Sequence, residues 1–95
     1  MPDKFNTGTI DRAAIWYRGR TYSVARPGRH HDIIRAMDLA GIDPAHGHQG
    51  FVTSAGRFVD RREARKIAEA AGQLLPVDDL GAVRQHPELF SEDVW

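Results

Sequence analysis

The sequence of 95 residues contains no cysteine. This absence excludes disulfide bonds, thiolate nucleophiles and zinc sites built on cysteine, and it fits a reducing compartment. No apolar run approaches the roughly 20 residues that a membrane-spanning helix needs. The first ten residues, MPDKFNTGTI, also lack the apolar centre of a signal peptide. We therefore expect a soluble protein of the cytoplasm, with no membrane partner.

The sequence also lacks net charge, yet its charges are unevenly distributed. Residues 1–66 carry 12 Lys and Arg against 7 Asp and Glu, whereas residues 67–95 carry 1 against 6. The acidic end either folds back on the basic part or stays apart while the basic part binds an anion. Eleven of the 13 basic residues are arginine, the residue suited to bidentate recognition of phosphate and carboxylate.

The order of patterns along the chain predicts one α+β domain spanning residues 1–95, since this length allows only one modest core. β-Branched and aromatic residues around short turns indicate hairpins, and apolar residues at helical spacing indicate helices. The expected order is a hairpin over 13–25, a helix over 29–41, a loop over 42–49, a hairpin over 50–59, a helix over 60–72 and a C-terminal tail.

Three details make this fold prediction specific. A two-residue turn at Arg18-Gly19 would pair Ile15 with Tyr22, placing alternate residues of both strands on the core face. Asp60 is expected to cap the second helix. The tail residues 89–95, LFSEDVW, are too apolar to remain free, so we expect them to dock on the domain.

The segment RPGRHHD, residues 26–32, is the strongest site candidate. The Pro27-Gly28 break is expected to leave the first N–H groups of the helix free to attract an anion. His30 lies four residues before Ile34 and so projects along the apolar face, towards the body of the protein. The predicted anion-binding residues in this segment are Arg26, Arg29, His30 and Asp32.

Two other stretches are expected to complete this site. Thr53 and Arg57 flank the turn of the second hairpin and could hold an oxyanion, and Glu92 of the docked tail could reach the same place. A purely structural alternative remains open. In it Asp32 stabilises the helix dipole, His30 bonds a backbone carbonyl and the arginines pair with acids to close the fold.

Other patterns support weaker hypotheses. The HGH stretch at 46–48 lacks a recognised ligand spacing, so neither a metal nor another cofactor is expected. The basic residues of RREARK, at 61–66, are expected on the polar side of one helix, and without accompanying aromatic readers nucleic-acid binding is disfavoured. Ser91, His30 and Asp32 form a triad on paper, but no nucleophile elbow accompanies them, so no catalytic residue is assigned.

The stretches RHHDII, QGFVTSAGRFVDRREARKIAEAAGQ and LFSEDVW together resemble a family of small, mostly uncharacterised phage and prophage proteins. The resemblance rests on an Arg-His pair followed by Asp, a Gln-Gly-Phe hairpin with Gly-x-Phe, Arg-x-Glu-Ala at a helix start and a Leu-Phe-Ser-Glu end. The matching positions are Arg29, His30, Asp32, Gln49, Gly50, Phe51, Gly56, Phe58, Arg62, Glu63, Ala64, Leu89, Phe90, Ser91 and Glu92. A phage origin implies action inside a host cell, by modifying, blocking or sequestering a host component.

Three functions follow as hypotheses. The first is a protein that binds a phosphate-bearing ligand, such as a nucleotide signal of host defence, at the Arg/His site. The second is a protein-binding inhibitor of a host factor, and the third is a small nucleotide-processing enzyme with His30 as acid and base. Arginine, histidine and hydroxyl groups without a convincing nucleophile favour binding over catalysis. Because so short a chain has little depth for a pocket, we also expect a homo-oligomer.

Overall fold

A computed structural model describes residues 8–95, which form an antiparallel sheet with helices on one of its faces. The sheet has the strand order β2-β1-β3-β4. Its strands are β1 (Ile10–Tyr17), β2 (Arg20–Ala25), β3 (His48–Thr53) and β4 (Phe58–Asp60), and the helices are α1 (His30–Leu39) and α2 (Arg61–Ala70). The predicted α+β fold, with its hairpin–helix–hairpin–helix order, is confirmed.

The first hairpin has the register that its turn dictates. Arg18 and Gly19 adopt positive φ values of 50° and 78°, which is the geometry of a two-residue hairpin turn. Ile15 consequently pairs with Tyr22, as the sequence predicts, and the partly buried Tyr22 packs against the core. Trp16 points to the opposite face, where 40% of it is exposed. The predicted loop at 42–49 is shorter than expected because β3 already begins at His48.

One hydrophobic core lies between the sheet and the helices. Phe51 of β3 is its central aromatic residue and is fully buried. The sheet, α1, α2 and the tail all contribute to this core, which includes Ile10, Ala13, Ile15, Ile33, Met37, Phe51, Val59, Ala64, Ile67, Ala68, Leu89 and Val94. Among the described residues, no helix combines the length and the apolar character that crossing a membrane requires.

Helix α2 confirms the predicted cap but corrects the prediction for its basic residues. The Asp60 side chain accepts a hydrogen bond of 2.8 Å from the Glu63 backbone N–H. Arg65, expected on the solvated side, is only 4% exposed. Its side chain is buried along its length, with Nε donating to Glu69 at 3.2 Å and one terminal nitrogen buried without a hydrogen-bond partner. Helical spacing alone does not predict this burial.

The C-terminal tail docks on the domain, as predicted. Leu89 is fully buried, and its N–H donates to the Arg61 carbonyl at 3.0 Å. A short 3-10 helix, Ser91–Asp93, follows, in which the buried Asp93 accepts from the Phe90 N–H at 2.8 Å. The Trp95 indole N–H then donates to the Gly28 carbonyl at 2.7 Å. The tail therefore ends against the segment that leads into α1.

Candidate functional site

The start of α1 is organised by its own residues and by the tail. Asp32 accepts a hydrogen bond of 2.8 Å from the Arg29 N–H, so its carboxylate closes the first turn of the helix. The Arg29 guanidinium donates to the Trp95 carbonyl oxygen at 2.5 Å. This arrangement leaves the next residue, His30, directed into the protein, where it is only 6% exposed.

Both ring nitrogens of His30 have partners. Nε2 lies 2.7 Å from the Gly50 carbonyl oxygen, and because a carbonyl only accepts, Nε2 must carry the hydrogen. Nδ1 lies 3.3 Å from the Ser91 hydroxyl oxygen. Burial lowers the pKa of His30 below its ordinary value, and the Gly50 carbonyl opposes this effect only in part. The neutral ring therefore keeps a bare Nδ1 that accepts from the Ser91 hydroxyl.

Gly50 lets β4 and the Phe58 ring approach β3 closely because it has no side chain. A Cβ at this position would collide with the Val59 carbonyl oxygen and would come within 2.6 Å of the Phe58 ring. The aromatic ring thus covers the far side of β3 at Gly50 while His30 bonds its carbonyl.

An open cavity of about 490 Å³ lies above His30, where the start of α1, the start of α2 and the tail meet. His30 and Ser91 form its floor, since both are almost completely buried. Its remaining surface comes from two arginines, one histidine, one aromatic residue and one acid, namely Arg29, Arg61, His31, Phe90 and Glu92. Its fixed charges are therefore two guanidinium groups and one carboxylate.

Arg61, the first residue of α2, is the least satisfied charged group of the cavity. Its Nε is buried without a hydrogen-bond partner, while a terminal nitrogen donates to Gln49 Oε1. Its guanidinium lies 4.5 Å from the centre of the Phe90 ring. Burial lowers the pKa of Arg61, but arginine remains charged at neutral pH. No carboxylate within residues 8–95 lies within ion-pair distance of it.

Glu92 lies at the rim, with its side chain 54% exposed and 3.9 Å from the Arg84 guanidinium. This ion pair is long and solvated, so it holds Glu92 only weakly. The carboxylate is consequently free to accept a hydrogen bond from a hydroxyl or amino group of a ligand whose anionic end contacts the arginines.

Of the seven residues that the sequence suggested, the structure places three in the cavity, Arg29, His30 and Glu92. The other four lie outside it. Arg26 stacks over the Trp95 ring at 5.6 Å. Asp32 caps the first turn of α1. Thr53 is buried and its hydroxyl accepts from the hairpin turn, while Arg57 pairs with Glu63 at 2.9 Å.

The sequence does not assign four residues of the cavity to a ligand site, namely His31, Arg61, Phe90 and Ser91. From the sequence, Arg61 is expected among the solvated basic residues of α2, Ser91 belongs only to a triad on paper, Phe90 belongs to the apolar tail, and His31 has no assigned role. The apolar Leu89 is the useful signal for the tail residues, because Phe90 and Ser91 follow it directly in the sequence. Leu89 docks against the Arg61 backbone and so brings these two residues to the start of α2.

The arrangement suits anion recognition more than metal binding. In the described part of the chain, no group of three or more His, Asp or Glu side chains is placed to hold a metal ion. The guanidinium groups of Arg29 and Arg61 instead provide charged donors, as phosphate binding requires. His30 and Ser91 shape the floor, since their hydrogens are already directed to Gly50 and to His30.

Comparison with known proteins gives one finding. A family model described as phage T4 y16D protein matches residues 9–95, nearly the whole chain. No curated protein and no solved structure gives a significant match.

Proposed function

The chain belongs to the phage T4 y16D protein family, and from that premise we propose that this small phage protein binds a phosphate-bearing ligand in the cavity above His30. The observation that carries the proposal is Arg61, a half-buried guanidinium with an unpartnered Nε and, among residues 8–95, no carboxylate within ion-pair distance. Glu88 and Glu92 act on this charge only from beyond ion-pair distance, so it is incompletely compensated, and a ligand phosphate would supply a close negative charge.

The other groups of the cavity define what the ligand must offer. Arg29 stands with Arg61 at the cavity wall, so a phosphate between them receives two charge-assisted sets of hydrogen bonds. Glu92 repels a phosphate but accepts from hydroxyl groups, which favours a ligand with an anionic end and a hydroxyl-bearing end. A nucleotide has both, so a nucleotide signal used in host defence is the ligand class we propose.

Calorimetric titration with inorganic phosphate and with adenosine and guanosine mono- and triphosphates tests this proposal. Removing one charged hydrogen-bonding group costs about 1.5–3 kcal/mol, so Arg29→Gln and Arg61→Gln should each weaken nucleotide binding roughly 10- to 100-fold. Arg35→Gln, at an exposed position of α1, is the matched control and should bind as the unsubstituted protein does.

Native mass spectrometry of protein purified from infected and uninfected cells extends the titration to ligands that the panel omits. A retained species of nucleotide mass, lost in Arg61→Gln, would support the proposal. A protein that carries no ligand and that binds none of the titrated phosphates would refute it.

A second candidate function, a nucleotide-processing enzyme, is favoured by one contact. The bare Nδ1 of His30 lies 3.3 Å from the Ser91 hydroxyl, a geometry in which His30 could take a proton from Ser91. Binding without catalysis remains our first choice, because the Ser91–His30 contact is long and no carboxylate hydrogen-bonds the His30 ring in the described part of the chain. Incubation with labelled nucleotides distinguishes the two, since only an enzyme converts them and only an enzyme loses turnover in Ser91→Ala while retaining binding.

A further inference from the structure

Strand β2 lies at one edge of the sheet and leaves part of its backbone unpaired. With a two-residue turn at Arg18-Gly19, the pairs that exchange backbone hydrogen bonds with β1 include Tyr22 and Val24. The N–H and C=O groups of Thr21 and Ser23 therefore point away from the sheet. No backbone hydrogen bond joins them to any other segment within residues 8–95. Such an edge is a template for one more strand.

An apolar groove runs beside this edge, between β2 and α1. It has a volume of about 200 Å³. Its lining is mainly apolar and includes Tyr22, Val24, Ile33, Ala36, Met37 and Ile42. Pockets for whole drug-sized molecules usually measure about 300–1,000 Å³, so this groove suits a single apolar side chain.

The edge and the groove together define the shape of an occupant. A strand added at β2 directs alternate side chains to opposite faces, so every second side chain would point to the α1 side. One of these would enter the groove while the backbone bonds Thr21 and Ser23. The occupant is therefore an extended peptide rather than a helix or a compact ligand.

The positive charge at the end of the groove nearest the Arg18-Gly19 turn indicates which residues the peptide should contain. Arg18 and Arg20 are both exposed there, and neither has a carboxylate within ion-pair distance in the described part of the chain. A peptide antiparallel to β2 runs towards this end. An acidic residue on the carboxyl-terminal side of the groove-filling side chain would then meet the two arginines.

The same charges disfavour one way in which a second copy of this chain could pair with β2, the antiparallel pairing centred on Ser23. Pairing two β2 strands antiparallel about Ser23 would place Arg20 opposite the Arg26 of the other copy at both ends. Like charges directly opposite each other destabilise a strand pair.

We propose that the β2–α1 groove binds an extended segment of a partner protein, in which an apolar side chain is followed by an acidic residue. The segment adds as an antiparallel fifth strand at Thr21 and Ser23. This interaction surface is separate from the cavity above His30, so a peptide and a nucleotide can be tested independently.

Selection from a library of random displayed heptapeptides, followed by NMR with the enriched peptides, tests this proposal. We expect enrichment of an apolar residue followed by Asp or Glu. Bound peptide should slow amide hydrogen exchange at Thr21 and Ser23 by about tenfold or more, as a new backbone hydrogen bond does. Changing the acidic residue of the peptide to lysine should weaken binding at least several-fold.

Ala36→Lys places a long charged side chain in the groove from an exposed helix position, and should abolish peptide binding without unfolding the protein. Ala70→Lys, at an exposed position of α2, is the matched control and should bind normally. Failure to enrich any peptide family, or binding unaffected by Ala36→Lys in a folded variant, would overturn the proposal. So would a concentration-dependent dimer whose formation protects Thr21 and Ser23, since the occupant would then be a second copy.

Discussion

The buried imidazole of His30 makes the stability of this protein depend on pH in a predictable direction. Burial lowers the pKa of His30 in the folded state, so the unfolded chain binds a proton more readily. Above the ordinary histidine pKa of about 6.5 both states are neutral at this position, and the pH dependence vanishes. As the pH falls below that value, the unfolded state gains the proton first, and the free energy of unfolding decreases.

The size of this pH dependence follows from the binding of one proton by His30. Between about pH 6.5 and the lowered pKa of folded His30, the free energy of unfolding should fall by up to about 1.4 kcal/mol per pH unit. Below the lowered pKa the contribution from His30 levels off. His30→Gln retains an N–H donor for the Gly50 carbonyl but cannot be protonated, so this slope should disappear in the variant.

Urea unfolding from pH 8 to pH 5, followed by fluorescence and circular dichroism, measures both slopes. At pH 8 His30→Gln should be less stable by about 1–3 kcal/mol, because the Ser91 contact and the packing on Phe51 are lost. His46→Gln is the control, since the His46 side chain is 75% exposed. Equal slopes for the unsubstituted protein and His30→Gln would refute the assignment of a buried, neutral His30.

Two further predictions concern packing. Leu89→Ala should cost about 2–5 kcal/mol, because this side chain is fully buried, and limited proteolysis should then remove the tail faster. Gly50→Ala should destabilise the protein by about 1–3 kcal/mol in thermal unfolding, because the new methyl group meets the Val59 carbonyl and the Phe58 ring. A variant of either kind as stable as the unsubstituted protein would contradict the packing described.

The fold was predictable where local geometry fixes it. The Arg18-Gly19 turn sets the register of the first hairpin, and a period of two then decides which residues face the core. Asp60 identifies the start of α2 because its side chain satisfies a free N–H group of the first turn. These signals act over a few residues, so they can be read without knowing the tertiary structure.

The cavity was only partly predictable because it joins residues that are distant in the sequence. His30 was correctly directed inward by helical spacing, but its partners Gly50 and Ser91 lie 20 and 61 residues away. Arg57 and Arg61 illustrate the difficulty. Arg57 pairs locally with Glu63, whereas Arg61 faces the cavity because the tail docks beside it. No local pattern distinguishes these two arginines.

Substitution of Arg61 can show whether this residue has a structural role or a binding role. Its buried Nε lacks a partner, and a charged group in that condition reduces stability. Replacing it with an apolar side chain of similar length should therefore cost little, as replacement of buried ionic groups often does. Arg61→Met would keep a flexible stem against the Phe90 ring while removing the charge.

We expect Arg61→Met to change the free energy of unfolding by no more than about 1 kcal/mol, or to stabilise the protein, while weakening nucleotide binding roughly 10- to 100-fold, as Arg61→Gln does. One effect of the substitution is destabilising, because the Gln49 amide loses its hydrogen bond from Arg61. This cost is small, since Gln49 is partly exposed and water can replace the lost donor. Urea unfolding and calorimetric titration of the same sample measure the two effects. A loss of more than about 2 kcal/mol, the range of a broken buried network, would make Arg61 a structural residue and remove the main support for the proposed site.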